Sequence, residues 1–170
     1  MLRRSYPGIG KRGIGVGYPG GVNLSFDAGQ GRLASIWRGE FIEASGVWRG
    51  QGHGNVRIQG EDVVTFPEGP AFAALDTLEQ AWPKADGKRS AGFQFRGYTL
   101  DDKQRPAFEY EFNGVQIRDA FVDAKDVAGR GFFRRTLTPK SDRATDPLFF
   151  RVAAELPIEK LDDTDYRIGK

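Results

Sequence analysis

The sequence predicts an all-β fold, an antiparallel β-sandwich with Gly-rich loops and little helix, on three observations. Apolar and polar residues alternate in short runs, the period of two expected of half-buried strands. The clearest run sets Phe108, Tyr110 and Phe112 between Ala107, Glu109 and Glu111. The composition, with 13 Phe, 5 Tyr, 3 Trp and 23 Gly, suits an aromatic core built from many short strands and tight turns. Finally, the strands recur without long helical crossovers between them, so antiparallel pairing is the way they must join.

Taken in order, the chain opens on a Gly-rich stretch from Ser5 to Gly21 that contains Gly8-x-Gly10-x-x-Gly13, formally a dinucleotide fingerprint. No strand precedes it. The glycines and Pro19 that follow leave no room for the helix whose N-terminus would hold a pyrophosphate. Residues 1–13 therefore read as a flexible arm and residues 14–170 as a single sandwich domain, beginning with a short strand near Ile14 to Tyr18. Val22 to Asp27 alternates, turns at Ala28 to Gly31, and returns as Arg32 to Arg38. Asn23-Leu24-Ser25 matches the glycosylation triplet by chance, since it lies inside that predicted strand.

Asn55 to Pro67 reads as strand, turn at Gly60, strand. Residues 71–82 have moderate helix propensity, with Leu75 and Leu78 three apart and Pro83 as a stop, so a helix or a loop with one helical turn is expected there. Phe93 and Phe95 open a central meander of three strands. Its second turn is Asn113-Gly114, the strongest short hairpin signal because both positions need positive φ. Folding about that turn sets Phe112 opposite Val115, Tyr110 opposite Ile117 and Glu109 opposite Arg118. Apolar residues then meet on one face and opposite charges on the other. Arg130 to Thr138, Leu148 to Leu156 and Tyr166 to Ile168 complete the strands.

Charge and cysteine usage exclude several functions. The 25 basic and 23 acidic residues give a formal charge of +2 with no basic stripe, so nucleic acid is not an expected partner. With no cysteine, disulfides, thiolate metal sites, a thiol nucleophile and covalently attached c-type haem are all excluded. No haem, flavin or nicotinamide cofactor is expected. No apolar run approaches the roughly 20 residues that span a bilayer. Met1-Leu2-Arg3-Arg4 carries two charges with no apolar segment behind them, so it does not read as a signal peptide. The protein is then either cytoplasmic or a mature or excised piece of a longer chain.

The chemically richest stretch runs from Trp37 to His53. It gathers two Trp, two Glu, two Arg and the sole His among glycines that bring backbone close to whatever lies there. Three readings are open. Trp37 and Trp48 are core or rim packing; or the rings and carboxylates form a sugar platform; or Glu40 or Glu43 works with His53 in acid–base chemistry. The candidate recognition residues are Trp48, Phe41, Glu40, Glu43, Arg49 and His53, with Trp37 as the core ring and Trp48 as the exposed one. No catalytic residue is assigned, and a metal site is not expected without a second His or a thiolate.

Four segments carry a resemblance: Tyr18 to Gly29 (YPGGVNLSFDAG), Gly31 to Phe41 (GRLASIWRGEF), Trp48-x-Gly-x-Gly, and Phe95-Arg-Gly-Tyr98-x-Leu-Asp. Together they resemble a β-sandwich module of multidomain extracytoplasmic proteins of planctomycete-type bacteria, where it accompanies c-type cytochrome and sugar-dehydrogenase-like domains. The resemblance spans about Ile14 to Ile168 and rests on structural rather than catalytic motifs. It implies a periplasmic or extracytoplasmic setting and a c-type cytochrome or redox partner protein. Because Cys-x-x-Cys-His is missing here, any haem would sit on a partner or elsewhere on a parent chain. Two function classes follow. One is a non-catalytic module that binds a protein partner or a saccharide. The other is a carbohydrate-active enzyme using paired carboxylates among Glu40, Glu43 and Asp27, which would need to lie about 5 to 9.5 Å apart.

Overall fold

A computed structural model describes residues 1–48, 56–84 and 92–169, with only the backbone described at Val47 and Trp48. The described chain is an antiparallel, sandwich-like all-β fold. Its first strands are β1 (Leu2–Arg4), β2 (Gly13–Gly17), β3 (Val22–Asp27) and β4 (Arg32–Arg38), followed by β5 (Ile42–Glu43) and a single helical turn, α1 (Ser45–Trp48). Next come β6 (Arg57–Ile58), β7 (Glu61–Thr65) and β8 (Phe72–Ala74). The meander is β9 (Phe93–Leu100), β10 (Pro106–Phe112), β11 (Val115–Lys125) and β12 (Gly131–Lys140). Three short strands end the chain: β13 (Leu148–Phe150), β14 (Ile158–Lys160) and β15 (Tyr166–Ile168).

One sheet has the order β1-β2-β3-β4-β7 and the other the order β12-β11-β10-β9. Their inner faces meet through rings. Phe26 on β3 stacks on Phe108 of β10 with centroids 4.1 Å apart, and Phe26, Phe72 and Phe93 surround Tyr110. Two hydrogen bonds tie the sheets at one side: Gly20 N–H donates to Asp123 Oδ2 at 2.9 Å and Arg38 Nε to the Gly131 carbonyl at 3.1 Å. Between β3 and β4, the Ser25 and Ser35 hydroxyls form a buried pair at 2.6 Å. A short ladder of β8 with β13 lays Phe72 against Phe150 and adds to this core.

The central hairpin has the expected register. Phe112 faces Val115, Tyr110 faces Ile117 and Glu109 faces Arg118, with Asn113 and Gly114 at φ of 48° and 83°. The expected cross-strand charge pairing differs in detail, because β9 supplies other partners. Thr99 donates to Glu109 at 3.2 Å, and Arg96 pairs with Glu111 at 2.6 Å.

Three other expectations give way to the structure. The first thirteen residues form an edge strand and a loop folded onto the sheet rather than an arm. Tyr6 and Ile9 are buried, and the Arg32 guanidinium reaches the Gly8 carbonyl at 2.8 Å. Gly15 makes this possible: a Cβ there would lie 2.0 Å from the Tyr6 hydroxyl, so only glycine lets the ring lie flat on β2. Residues 71–82 hold β8 and irregular chain instead of a helix, because Phe72 and Ala73 are drawn into the core beside β13. The segments on either side of Gly60 do not pair with each other. β6 pairs with β5, and β7 extends the five-stranded sheet at β4.

Candidate functional site

The Trp37 to His53 stretch divides. Trp37 is core: it is 1 % exposed, stacks on Phe41 with centroids 6.0 Å apart, and its indole N–H is shared between the Glu40 and Phe41 carbonyls at 3.0 and 2.9 Å. Phe41 is half-buried and Glu40 is exposed just beyond the end of β4. Glu43 accepts a hydrogen bond from the Ser45 amide and lies 3.7 Å from Arg57 Nε across the β5–β6 ladder. The Trp48 side chain, Arg49 and His53 lie outside the described residues.

The third carboxylate of the enzyme reading is elsewhere. Asp27 accepts hydrogen bonds from the Gly29 and Gln30 amides and lies 3.7 Å from the buried Arg32, so it shapes the turn that opens β4. Glu40 follows the other end of that seven-residue strand. At about 3.3 Å per residue the length of that strand, roughly 23 Å, separates the two, beyond the span of a glycosidase pair. Asn23 is buried, with its amide donating to the Gly39 carbonyl at 3.0 Å, so its triplet is structural. Among the described residues, no group of three or more His, Cys, Asp or Glu is arranged to hold a metal ion. No helix there is long and apolar enough to cross a membrane.

A groove of about 620 Å³ lies beside the sheet edge formed by β7. Val64, Phe66, Val152, Ala154, Leu156 and Ile168 supply its apolar wall. Val63, Val64, Val152 and Leu156 are each about half exposed, at 47 %, 49 %, 52 % and 50 %. Ile158, Leu161 and Tyr166 on the adjoining β14–β15 hairpin are exposed to a similar degree. Soluble surfaces seldom leave this many apolar groups together without a use for them. At the groove's rim Arg151 donates to the Glu68 carbonyl at 2.5 Å and lies 5.1 Å above the Trp82 ring, whose N–H is held by the Pro70 carbonyl at 2.9 Å. Burial lowers the Arg151 pKa, with Arg32 acting in the same direction.

Sequence reasoning missed this groove. Its walls come from residues 64–68, 151–156 and 168, which no local pattern joins. A signal does exist in the run Glu61-Asp-Val-Val-Thr65, where adjacent valines put an apolar side chain on each face of one strand.

Fold and site together define a β-sandwich module with an open edge strand beside an apolar groove. The chain belongs to the DUF6797 family, a domain of unknown function, whose family model matches residues 24–119, from β3 into β11. No curated protein and no solved structure matches it.

Proposed function

We propose that this chain is a non-catalytic binding module that takes an extended segment of a protein partner along β7, with the partner's apolar side chains in the adjoining groove. The observation that carries the reading is the combination of edge and groove. Among the described residues the β7 strand pairs with β4 on one side only, and its exposed Val64 opens onto the 620 Å³ apolar cleft, with Val63 exposed beside it. An unpaired edge offers main-chain donors and acceptors to an incoming strand, and alternate side-chain pockets give specificity. The Glu61–Asp62 end of β7 is guarded against indiscriminate pairing. A register shift lies between Ile36 and Arg38, Asp62 has φ of 51°, and Asp62 is tied to Arg38 at 2.7 Å. Docking is thereby confined to the Val63–Thr65 end. The sequence resemblance supports an extracytoplasmic setting with a c-type cytochrome or another redox protein as partner.

Panning a library of random linear peptides on the purified chain tests this. Peptides with alternating apolar residues should be enriched, and their binding should fall at least tenfold in Val64→Asp, whose exposed position leaves folding intact. Failure to enrich such peptides, or equal binding by the variant, would remove the reading.

A further inference from the structure

At the opposite edge of the same sheet lies a second concavity, of about 420 Å³, bounded by Arg3, Lys11, Arg12, Ala28, Gln94 and Phe95. We propose that it is a binding site for a small molecule bearing a phosphoryl or sulfuryl group.

The fold brings the cations together. Strand β1 pairs with β2 so that Arg3 stands opposite Ile14, while the loop between them returns Lys11 and Arg12 to the same end. Buried Tyr6 fixes that loop, with its hydroxyl donating to the Leu2 carbonyl at 3.0 Å. On the other wall, β9 is the edge of the second sheet among the described residues and supplies Gln94 and Phe95. The pocket is thus the mouth of the sandwich between two edge strands.

Its charge is unbalanced. The sequence holds Arg3, Arg4, Lys11 and Arg12 before its first acid, Asp27, although acids and bases nearly cancel over the whole chain. Of these, Arg3, Lys11 and Arg12 line the pocket, and among the described residues none of the three forms an ion pair with a carboxylate, whereas nine other cations do. Asp27 lies close by but is committed to two amides and Arg32. Like charges gathered at a concave, partly apolar site, without local neutralisation, favour an anion between them. Two guanidinium forks suit the paired oxygens of a tetrahedral oxyanion, and an ammonium adds a point charge. The volume falls in the range of about 300 to 1,000 Å³ typical of small-molecule sites. Half-buried Phe95 offers a ring, and the Gln94 amide a donor and an acceptor, for the rest of the molecule.

The test is calorimetric titration of the full chain, in low-salt buffer free of both ions, with inorganic phosphate, inorganic sulfate, glucose 6-phosphate and glucose 6-sulfate. Saturable binding should appear and weaken roughly tenfold or more in Arg3→Ala/Arg12→Ala, the loss expected for charge-assisted hydrogen bonds. It should persist in Arg134→Ala, an exposed arginine on β12. All three proteins should melt within a few degrees of one another. Equal affinity for the bare ions and the sugar esters assigns a site for the ion itself; tighter binding of the esters assigns the sugar to the Phe95 wall. Absence of saturable binding by every probe, or equal weakening in Arg134→Ala, overturns the proposal.

Discussion

Replacing Asp119 by Ala should be among the most damaging single changes to this fold. Asp119 sits on β11 at an inward position between Ile117 and Phe121 and has no solvent exposure. It accepts Arg135 Nε at 2.8 Å and Nη2 at 2.7 Å in a bidentate pair, and the Tyr110 hydroxyl at 3.1 Å. The guanidinium also lies 5.2 Å from the Phe121 ring centre and 5.0 Å from that of Phe150. Burial pushes the Asp119 carboxyl up, and the hydrogen bonds from Arg135 and Tyr110 pull it back only in part. Truncation therefore leaves a largely buried cation and a buried phenol without their acceptor.

Breaking a buried pair from one side costs about 3 to 5 kcal/mol. The Arg135 side chain retains 19 % exposure, so water reaches its rim and the lower end, about 3 kcal/mol, is expected. For a chain of this length that corresponds to a fall of roughly 6 to 12 °C in Tm. Urea unfolding followed by tryptophan fluorescence would measure it, with Arg135→Met and the double variant completing a cycle. The double variant should be less destabilised than the sum of the singles by about 2 kcal/mol, because it removes the stranded charge with its partner. A single-variant cost under about 1 kcal/mol, or strict additivity, would refute the reasoning.

Other outcomes follow from the same packing. Gly15→Ala should cost roughly 1 to 3 kcal/mol by driving Tyr6 off β2; an unchanged urea midpoint would show that the ring can move freely. Gly114→Val should cost about 1 kcal/mol or more, because a β-branched residue resists the φ of 83° there, and a thermal melt reads this directly. Burial raises the Tyr6 phenol to about 12 and also raises Tyr18 and Tyr110. These neutral phenols therefore favour the folded state fully below pH 10 and lose that contribution as pH rises toward their folded values. In an alkaline titration their phenolate absorbance should rise together with loss of native circular dichroism. Smooth titration of all five tyrosines with the fold intact would contradict this.

The central hairpin was legible because Asn113-Gly114 and the alternation about it demand one register, and Trp37 was legible as core from its place in a strand. What lay hidden depended on partners distant in sequence. Gly60 looks like a hairpin turn, yet β4 and β5 draw its two flanks into different sheets. Residues 71–82 have a moderate helical preference that the pull of Phe72 into the core overrides. Asp119 could have been found, since strict alternation from Val115 to Phe121 places a carboxylate inward. Its counter-ion could not, because Arg135 arrives from another strand. The cations of the mouth pocket precede every acid in the chain, but only the pairing of β1 with β2 and the approach of β9 make them one site.

The Ser25–Ser35 hydroxyl pair has a consequence for how β3 finds its place on β4. A slip of one residue would turn Val22, Leu24 and Phe26 of β3 away from the core, so hydrophobic burial alone forbids it. A slip of two would restore the faces and leave the greasy pattern nearly indifferent. Only then do the two hydroxyls matter: they would part inside a dry interior, each losing its sole partner at a cost of about 1 to 3 kcal/mol. Two small polar groups thus act as a vernier on the coarse scale set by the rings.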